Sequence, residues 1–105
     1  MVDINYGETG DIGEGEYAWV YAGGMAQVHY RGRASVYDNG LAEVHRGGRA
    51  VVWDGGKVIV QEGGLATVHD GGYAYIHKGG YGVFTKGGRA EGDGEIVEDD
   101  EEDEE

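Results

Sequence analysis

Short stretches of alternating apolar and polar residues recur at a fixed interval along most of this chain. From Tyr17 the sequence divides into nine consecutive blocks of eight residues, or octads, with no insertion between them. The second position of an octad is alanine in seven cases, the fourth is valine in seven, and the eighth is glycine in all nine. Because a β-strand turns successive side chains to opposite faces, positions 1 to 5 predict a strand whose second and fourth residues face a core. Positions 6 to 8 then form a turn.

The even length of the repeat means that every strand presents the same face to the interior. Similar outward residues recur every 16 positions, as Tyr21 and Tyr37 illustrate, so two octads are expected in each coil. The pattern therefore predicts an all-β fold, a two-sided β-solenoid of about 16 residues per coil. An antiparallel β-meander or barrel is the alternative, since a turn ending in glycine also joins the strands of a hairpin. Alanine and valine are too small to fill a wide barrel, which favours the solenoid.

The turn is expected to depend on the glycine at the eighth position. We interpret this residue as one with positive φ, a conformation that glycine adopts at little cost. The seventh position is glycine in seven octads and is replaced by Arg31 and Asn39 in the other two, which predicts that it is less restricted.

The distribution of charge divides the 105 residues into three regions. Residues 1–16 carry five acidic residues and no basic one, and are predicted to form a degenerate N-terminal cap. Residues 17–90 carry five acidic and eight basic residues and make up the predicted octapeptide-repeat solenoid. Residues 91–105 carry eleven acidic residues and no basic one, a predicted acidic C-terminal tail in which Ile96 and Val97 cover the end of the core.

The composition argues against several classes of protein. The chain has no cysteine, which excludes a disulfide framework, a thiolate metal site and a cysteine nucleophile. No apolar run approaches the roughly 18 residues that a membrane-spanning helix needs, so no membrane contact is expected. The acidic N-terminus is not expected to be a signal peptide. With one serine and no phosphate-binding glycine motif, the sequence predicts no enzymatic activity, no metal and no cofactor.

Aromatic and basic residues coincide in alternate octads. Aromatic residues occupy the fifth position of these octads and arginines the first. The predicted partner-binding face of the body is Tyr21, Tyr37, Trp53, Arg33 and Arg49. Such a surface suits the stacking of sugars or bases. The other interpretation is a cross-strand ladder that stabilises the outer face, and direct binding of nucleic acid is not expected.

Two further columns carry side chains that bind metals in other proteins. Three histidines share the fifth position of even-numbered octads, and three aspartates share the sixth position of odd-numbered ones. They are His29, His45, His77, Asp38, Asp54 and Asp70. We interpret the histidines as a structural ladder. The aspartates are interpreted as turn residues, because aspartate is favoured at such positions.

The last eight residues are all acidic: Glu98, Asp99, Asp100, Glu101, Glu102, Asp103, Glu104 and Glu105. They are the residues of the tail that we predict to bind a partner. Three roles are open for them. They could keep the open sheet edge soluble, imitate phosphates in the basic groove of a nucleic-acid-binding protein, or cover the basic body of the same chain.

The octads, written GGxAxVxx, resemble the short-repeat β-solenoid modules of phage fibre and bacterial surface proteins over residues 17–88. In size and in having no evident active site, the chain is also similar to small phage proteins that block restriction or CRISPR systems. That similarity implies a non-catalytic inhibitor in the cytoplasm of the host cell, acting on a protein with a basic nucleic-acid-binding groove. The resemblance to repeat modules implies a structural or adhesive role instead. A designed repeat protein would show the same regularity, and a homo-oligomer is compatible with each of these.

Overall fold

Thirteen short β-strands make up the part of the chain that the computed structural model describes, residues 2–98. The strands are β1 (Val2–Ile4), β2 (Thr9–Ile12), β3 (Tyr17–Val20), β4 (Met25–Val28), β5 (Arg33–Val36), β6 (Leu41–Val44), β7 (Arg49–Val52), β8 (Lys57–Val60), β9 (Leu65–Val68), β10 (Tyr73–Ile76), β11 (Tyr81–Phe84), β12 (Arg89–Gly92) and β13 (Glu95–Glu98). Within residues 2–98 there is no helix with the length and apolar character needed to cross a membrane.

Alternate strands belong to two different parallel sheets. The seven odd-numbered strands form one sheet in the order β1-β3-β5-β7-β9-β11-β13, and the six even-numbered strands form the other in the order β2-β4-β6-β8-β10-β12. Paired residues lie 16 apart, as Ala34 and Ala50 do. Only β11 and β13 differ among the described strands: Tyr81 pairs with Glu95, because the last turn is two residues shorter. The predicted two-sided β-solenoid is confirmed, and the parallel pairing excludes the antiparallel alternative.

The interior between the two sheets is built from the second and fourth residues of each strand. Alanines and valines at these positions are buried, and Val44 is 0% exposed. Larger side chains occur near both ends of the stack, where glycine makes room for them. A Cβ atom on Gly10 would lie 2.9 Å from Cδ1 of Ile4, and one on Gly82 would lie 2.7 Å from Cδ1 of Ile76. The core is therefore closely packed at both ends, and a larger residue at either glycine requires the isoleucine side chain to shift.

The stack continues beyond the octads in both directions. Strands β1 and β2 pair in register with β3 and β4, so the segment predicted as a degenerate N-terminal cap contains the first turn of the solenoid. At the other end β12 crosses the predicted boundary at residue 90, and β13 lies within the predicted tail. Ile96 packs against the core, whereas Val97 faces outward and is 37% exposed. The apolar Ile96 thus keeps the inward position of a further strand.

The prediction that the eighth-position glycine has positive φ is wrong, because that conformation belongs to the seventh position. Gly55 has a φ of 87°, and Arg31 and Asn39 adopt 65° and 71° at the same position. Glycine at the eighth position is required for a steric reason instead. A Cβ atom on Gly56 would lie 2.8 Å from the carbonyl oxygen of Val36 in the previous coil. Successive coils are therefore so close at this point that no side chain fits between them.

Backbone hydrogen bonds close each turn and join it to the next coil. The N–H of Gly56 donates to the carbonyl oxygen of Trp53 across the turn at 2.8 Å. The N–H of Gly55 donates to the carbonyl oxygen of Gly71 in the following coil at 2.7 Å. Turns and strands thus stack as continuous ladders, which place each outward side chain beside its counterpart 16 residues away.

Candidate functional site

The outer face of the odd-strand sheet carries the five body residues that we predict to bind a partner, in three parallel rows. We call the first residues of the strands the arginine row, the third residues the middle row, and the residues that follow the strands the aromatic row. The arginine row contains Tyr17, Arg33, Arg49, Leu65 and Tyr81, the middle row Trp19, Ser35, Val51, Thr67 and Val83, and the aromatic row Tyr21, Tyr37, Trp53, His69 and Thr85. Because the strands are in register, each row runs parallel to the solenoid axis.

Four rings of the aromatic row stack face to face along this axis. The ring centroids of Tyr37 and Trp53 are 4.9 Å apart with planes at 7°, and those of Trp53 and His69 are 5.2 Å apart at 10°. Tyr21 stacks on Tyr37 at 6.0 Å. Trp19 of the middle row also lies parallel to Tyr37, at 5.7 Å. The register of the strands therefore produces a continuous aromatic ladder.

This stacking occupies the ring faces that a sugar- or base-binding platform would need. Tyr37 and Trp53 each contact neighbouring rings both below and above along the axis. Partial burial raises the pKa of the Tyr37 hydroxyl, and the neighbouring Tyr17 raises it further. Stacked aromatic pairs stabilise a fold beyond the area that they bury, so the geometry of this row suits a stabilising ladder.

The two predicted arginines lie at the opposite edge of the same face. Arg33 stands four residues before Tyr37, which is about 13 Å along an extended strand. Arg33 and Arg49 are register partners on β5 and β7, so their side chains start about 4.8 Å apart. Within residues 2–98 neither forms an ion pair. The arginines that pair with a glutamate are Arg31, Arg46 and Arg89. The predicted face is thus two separate groups on one sheet.

A groove opens beside the unpaired arginines. Its volume is about 730 Å³, and Tyr17, Arg33 and Arg49 line it together with residues of the adjoining turns. A smaller groove of about 200 Å³ shares these three residues and continues over the middle row to Leu65 and Thr67. The two grooves form one depression along the odd-strand sheet, which we call the arginine groove. From the arginines its larger part extends towards the N-terminal turns, at Glu14 and Glu16, and its smaller part towards the C-terminal end of the solenoid.

The even-strand sheet places the predicted histidine column within a polar network. The rings of His29 and His45 stack 5.0 Å apart at 7°. Nε2 of His45 lies 2.8 Å from Oε1 of Gln27. The carboxylate of Glu43 accepts hydrogen bonds from the amide groups of Gln27 at 3.2 Å and Gln61 at 2.7 Å. These contacts join neighbouring strands, as a structural ladder does.

A carboxylate also lies near this column, since Nε2 of His29 is 3.6 Å from Oδ1 of Asp11. Asp11 precedes the octads, so the repeat pattern gave no signal for this pair. In the aspartate column, Asp38 and Asp54 have φ values of 46° and 43° within their turns. Among residues 2–98 no three histidine or acidic side chains are placed to hold a metal ion.

Of the eight tail residues that we predict to bind a partner, Glu98 alone lies within the described part of the chain. It is the last residue of β13 and is exposed. The others lie outside the described residues: Asp99, Asp100, Glu101, Glu102, Asp103, Glu104 and Glu105.

Two members of the aromatic ladder were not among the predicted site residues. His69 occupies the fifth position of an odd-numbered octad, as Tyr37 and Trp53 do, so the 16-residue period contained a signal for it. Trp19 lies in the middle row, and the period gives no indication that its indole reaches the ring of Tyr37 in the next coil.

No family model matches the chain, and no curated protein matches it. Among solved structures the chain is similar to one described as "Crystal structure of TibC-catalyzed hyper-glycosylated TibA55-350 fragment", with 22% sequence identity and a TM-score of 0.29. The similarity covers 85% of this chain and 49% of the other, so the chain spans about half the length of that fragment. A similarity at this level assigns no function.

Proposed function

We propose that this chain is a non-catalytic structural repeat module, a short and rigid β-solenoid. The observation that supports this proposal is the aromatic ladder. Its ring faces are used within the module, where they join successive coils. A surface selected for binding sugars or bases would instead leave ring faces open to solvent.

The regularity of the backbone supports the same role. Strand pairing is in register through the described coils, and the turns add a further hydrogen-bond ladder. In a solenoid each coil is stabilised by its two neighbours, so unbroken ladders make the body resist local unfolding and bending. The described part of the protein measures 37 Å along its longest axis. A stiff element of this kind suits a spacer or scaffold.

The structural proposal is tested by removing the two central rings of the ladder. The double variant Tyr37→Ser and Trp53→Ser loses four ring contacts, those of Tyr37 with Trp19, Tyr21 and Trp53 and that of Trp53 with His69. At about 0.5–1.5 kcal/mol for each aromatic pair, the expected loss of unfolding free energy is about 2–6 kcal/mol. Urea denaturation followed by circular dichroism measures this loss.

The matched control is the double variant Tyr6→Ser and Tyr30→Ser. These tyrosines are 83% and 57% exposed and lie outside the ladder, so their loss is expected to cost less than about 1 kcal/mol. If the ladder variant is as stable as this control, the structural proposal is contradicted.

The inhibitor hypothesis and its cytoplasmic location depend on the acidic tail. The seven residues 99–105 that would carry most of the imitated phosphate charge lie outside the described part. The geometry of residues 2–98 favours the structural role, and the inhibitor stays a prediction with a separate test.

A further inference from the structure

Two like charges face each other on the odd-strand sheet, and neither has an ion-pair partner among residues 2–98. Arg33 and Arg49 are register partners, and like charges directly opposite each other destabilise a sheet. Their neighbours in the arginine row are Tyr17 on one side and Leu65 on the other, which carry no compensating charge. The repulsion between the two guanidinium groups is therefore not offset within the row.

The two acidic residues that line the arginine groove, Glu14 and Glu16, have other partners, and its three arginines outnumber them. Glu14 pairs with Arg31 at 3.7 Å. The carboxylate of Glu16 accepts a hydrogen bond from the N–H of Gly13 at 2.8 Å. Arg33 and Arg49 thus remain open to a carboxylate from outside the groove, and a guanidinium group binds a carboxylate through two parallel hydrogen bonds.

We propose that the arginine groove binds an extended acidic peptide, and that its occupant is the segment formed by residues 99–105 of the same chain. All seven of these residues are aspartate or glutamate. The middle-row residues that line the groove, Val51 and Thr67, are small and uncharged, whereas Ser35 is buried beneath the hydroxyl of Tyr17. This binding role is independent of the structural role proposed above.

The position of β13 allows the segment to reach the groove. β13 belongs to the odd-strand sheet and lies three strand spacings from β7, which carries Arg49. Glu98 is level with Val52, which lies three residues after Arg49 on β7. Three strand spacings are about 14 Å and three residues along a strand about 10 Å, so the Cα atoms of Glu98 and Arg49 are about 18 Å apart. Seven extended residues span up to about 24 Å. The acidic segment is long enough to reach Arg49, and Arg33, about 22 Å away on the same reckoning, lies near its limit.

The proposal is tested by nuclear magnetic resonance of the arginine Nε–Hε groups. The full chain is compared with a chain that ends at Glu98. We expect the signals of Arg33 and Arg49 to shift between the two proteins at low salt. The signals of Arg46 and Arg89, which pair with Glu62 and Glu91, serve as internal controls and should stay in place.

A synthetic peptide with the sequence of residues 98–105 then tests the groove directly. It should bind the shortened chain and return the Arg33 and Arg49 signals towards their full-length positions. The full chain should bind it at least about tenfold more weakly, because a tethered segment competes at high effective concentration. Arg33→Gln with Arg49→Gln should abolish binding of the peptide to the shortened chain, whereas Arg46→Gln should not. Circular dichroism establishes that each variant is folded.

Each other outcome overturns the proposal. Failure of the peptide to bind the shortened chain, or equal binding by the double glutamine variant, removes the groove as an acidic-peptide site. Equal binding by the full and shortened chains shows that residues 99–105 do not occupy it. If the Arg33 and Arg49 shifts depend on protein concentration, the segment is supplied by a second copy instead of the same chain.

Discussion

Two adjacent glycines in one turn are predicted to tolerate alanine very differently. Gly55 occupies the seventh position with a φ of 87°, and Gly56 occupies the eighth position. A Cβ atom on Gly55 would have the side-chain oxygen of Asn39 as its nearest contact, at 3.0 Å. A Cβ atom on Gly56 would lie 2.8 Å from the carbonyl oxygen of Val36 and 2.9 Å from its Cγ1 atom. The carbonyl oxygen of Val36 belongs to the backbone of the previous coil, and it cannot move away from Gly56 without separating the two coils.

The magnitudes follow from these contacts. Alanine at position 55 has a left-handed conformation that costs about 1–2 kcal/mol. The lower conformational entropy of the unfolded alanine chain offsets about 0.4–1 kcal/mol of this, so Gly55→Ala should cost about 0–1.6 kcal/mol. Gly56→Ala gains the same unfolded-state term but forces an atom into a close-packed region, at a cost of about 1–3 kcal/mol or more. Because coils stabilise one another, displacement of one carbonyl also weakens the neighbouring ladder. Since the unfolded-state term is the same for both variants, we expect Gly56→Ala to be the more damaging change by about 1 kcal/mol or more.

Urea denaturation measures the difference, with the fluorescence of Trp19 and Trp53 and far-ultraviolet circular dichroism as two probes of the same transition. For a domain of this size 1 kcal/mol corresponds to about 4–8 °C, so Gly56→Ala should melt at least about 4–8 °C below Gly55→Ala. Equal stability, or a lower stability of Gly55→Ala, would show that the assignment of strain and steric contact to the two positions is wrong.

Three further predictions concern the core, the aromatic row and the tail. Val44→Asp should unfold the protein, at a cost of more than about 4 kcal/mol, because Val44 is 0% exposed. The control is Lys57→Gln on the surface of the next even-numbered strand. A folded Val44→Asp protein would refute the inward register. Burial raises the pKa of Tyr37 above 10.0, so the stability that this shift supplies is present below pH 10 and is lost as pH rises through the folded-state pKa. Unfolding free energies measured at about pH 9 to 11 should fall less steeply for Tyr37→Phe, and an identical slope would contradict the assignment to Tyr37. If the tail imitates phosphates, the full chain should capture a nucleic-acid-binding protein from a cell lysate, and a chain ending at Val97 should not capture it. Capture of the same proteins by the full and the shortened chain would refute the inhibitor hypothesis.

Much of the fold follows from the sequence because one local rule is repeated. The alternation of alanine and valine with outward polar residues fixes which side of each strand is buried, and the 16-residue recurrence gives two strands per coil. The limits of the stack were harder to predict. Gly10 and Ile12 of the first turn depart from the alanine–valine pattern. Gly10 makes room for the side chains of Ile4 and Ile12, and only the packed core reveals this exchange of volume.

The turn chemistry could not be assigned from the identity of the residues alone. Glycine is favoured both where φ is positive and where a backbone approaches closely, and a sequence does not distinguish these two causes. Arg31 and Asn39 replace glycine at the seventh position, and we took this to mean that the seventh position is less restricted than the eighth, where we assigned the positive φ. They mark a position that accepts a side chain at the cost of a left-handed conformation, whereas the invariant position accepts none.

The candidate site was predictable as columns but not as contacts. The period places Tyr37 and Trp53 in one row and Arg33 and Arg49 in another. It does not show that the rings stack face to face or that the two arginines lack ion-pair partners within the described chain. The hydrogen bonds of Glu43 with Gln27 and Gln61 were missed for the same reason, because side-chain conformation decides them.

The central claim, a rigid parallel stack with two strands per coil, is tested most directly by electron paramagnetic resonance distances. The chain has no cysteine, so spin labels can be attached selectively to pairs of introduced cysteines. One cysteine replaces Asp3 and the other replaces Val51, Thr67 or Val83, and all four positions lie in the same outward column. The solenoid predicts narrow distributions whose mean increases by about 4.8 Å for every 16 residues. A flat antiparallel meander would give about 9.6 Å for every 16 residues, since two strands would separate the labels. Three results would contradict the two-stranded parallel stack. They are the larger increment, a distance that rises and then falls as in a closed barrel, and a broad distribution.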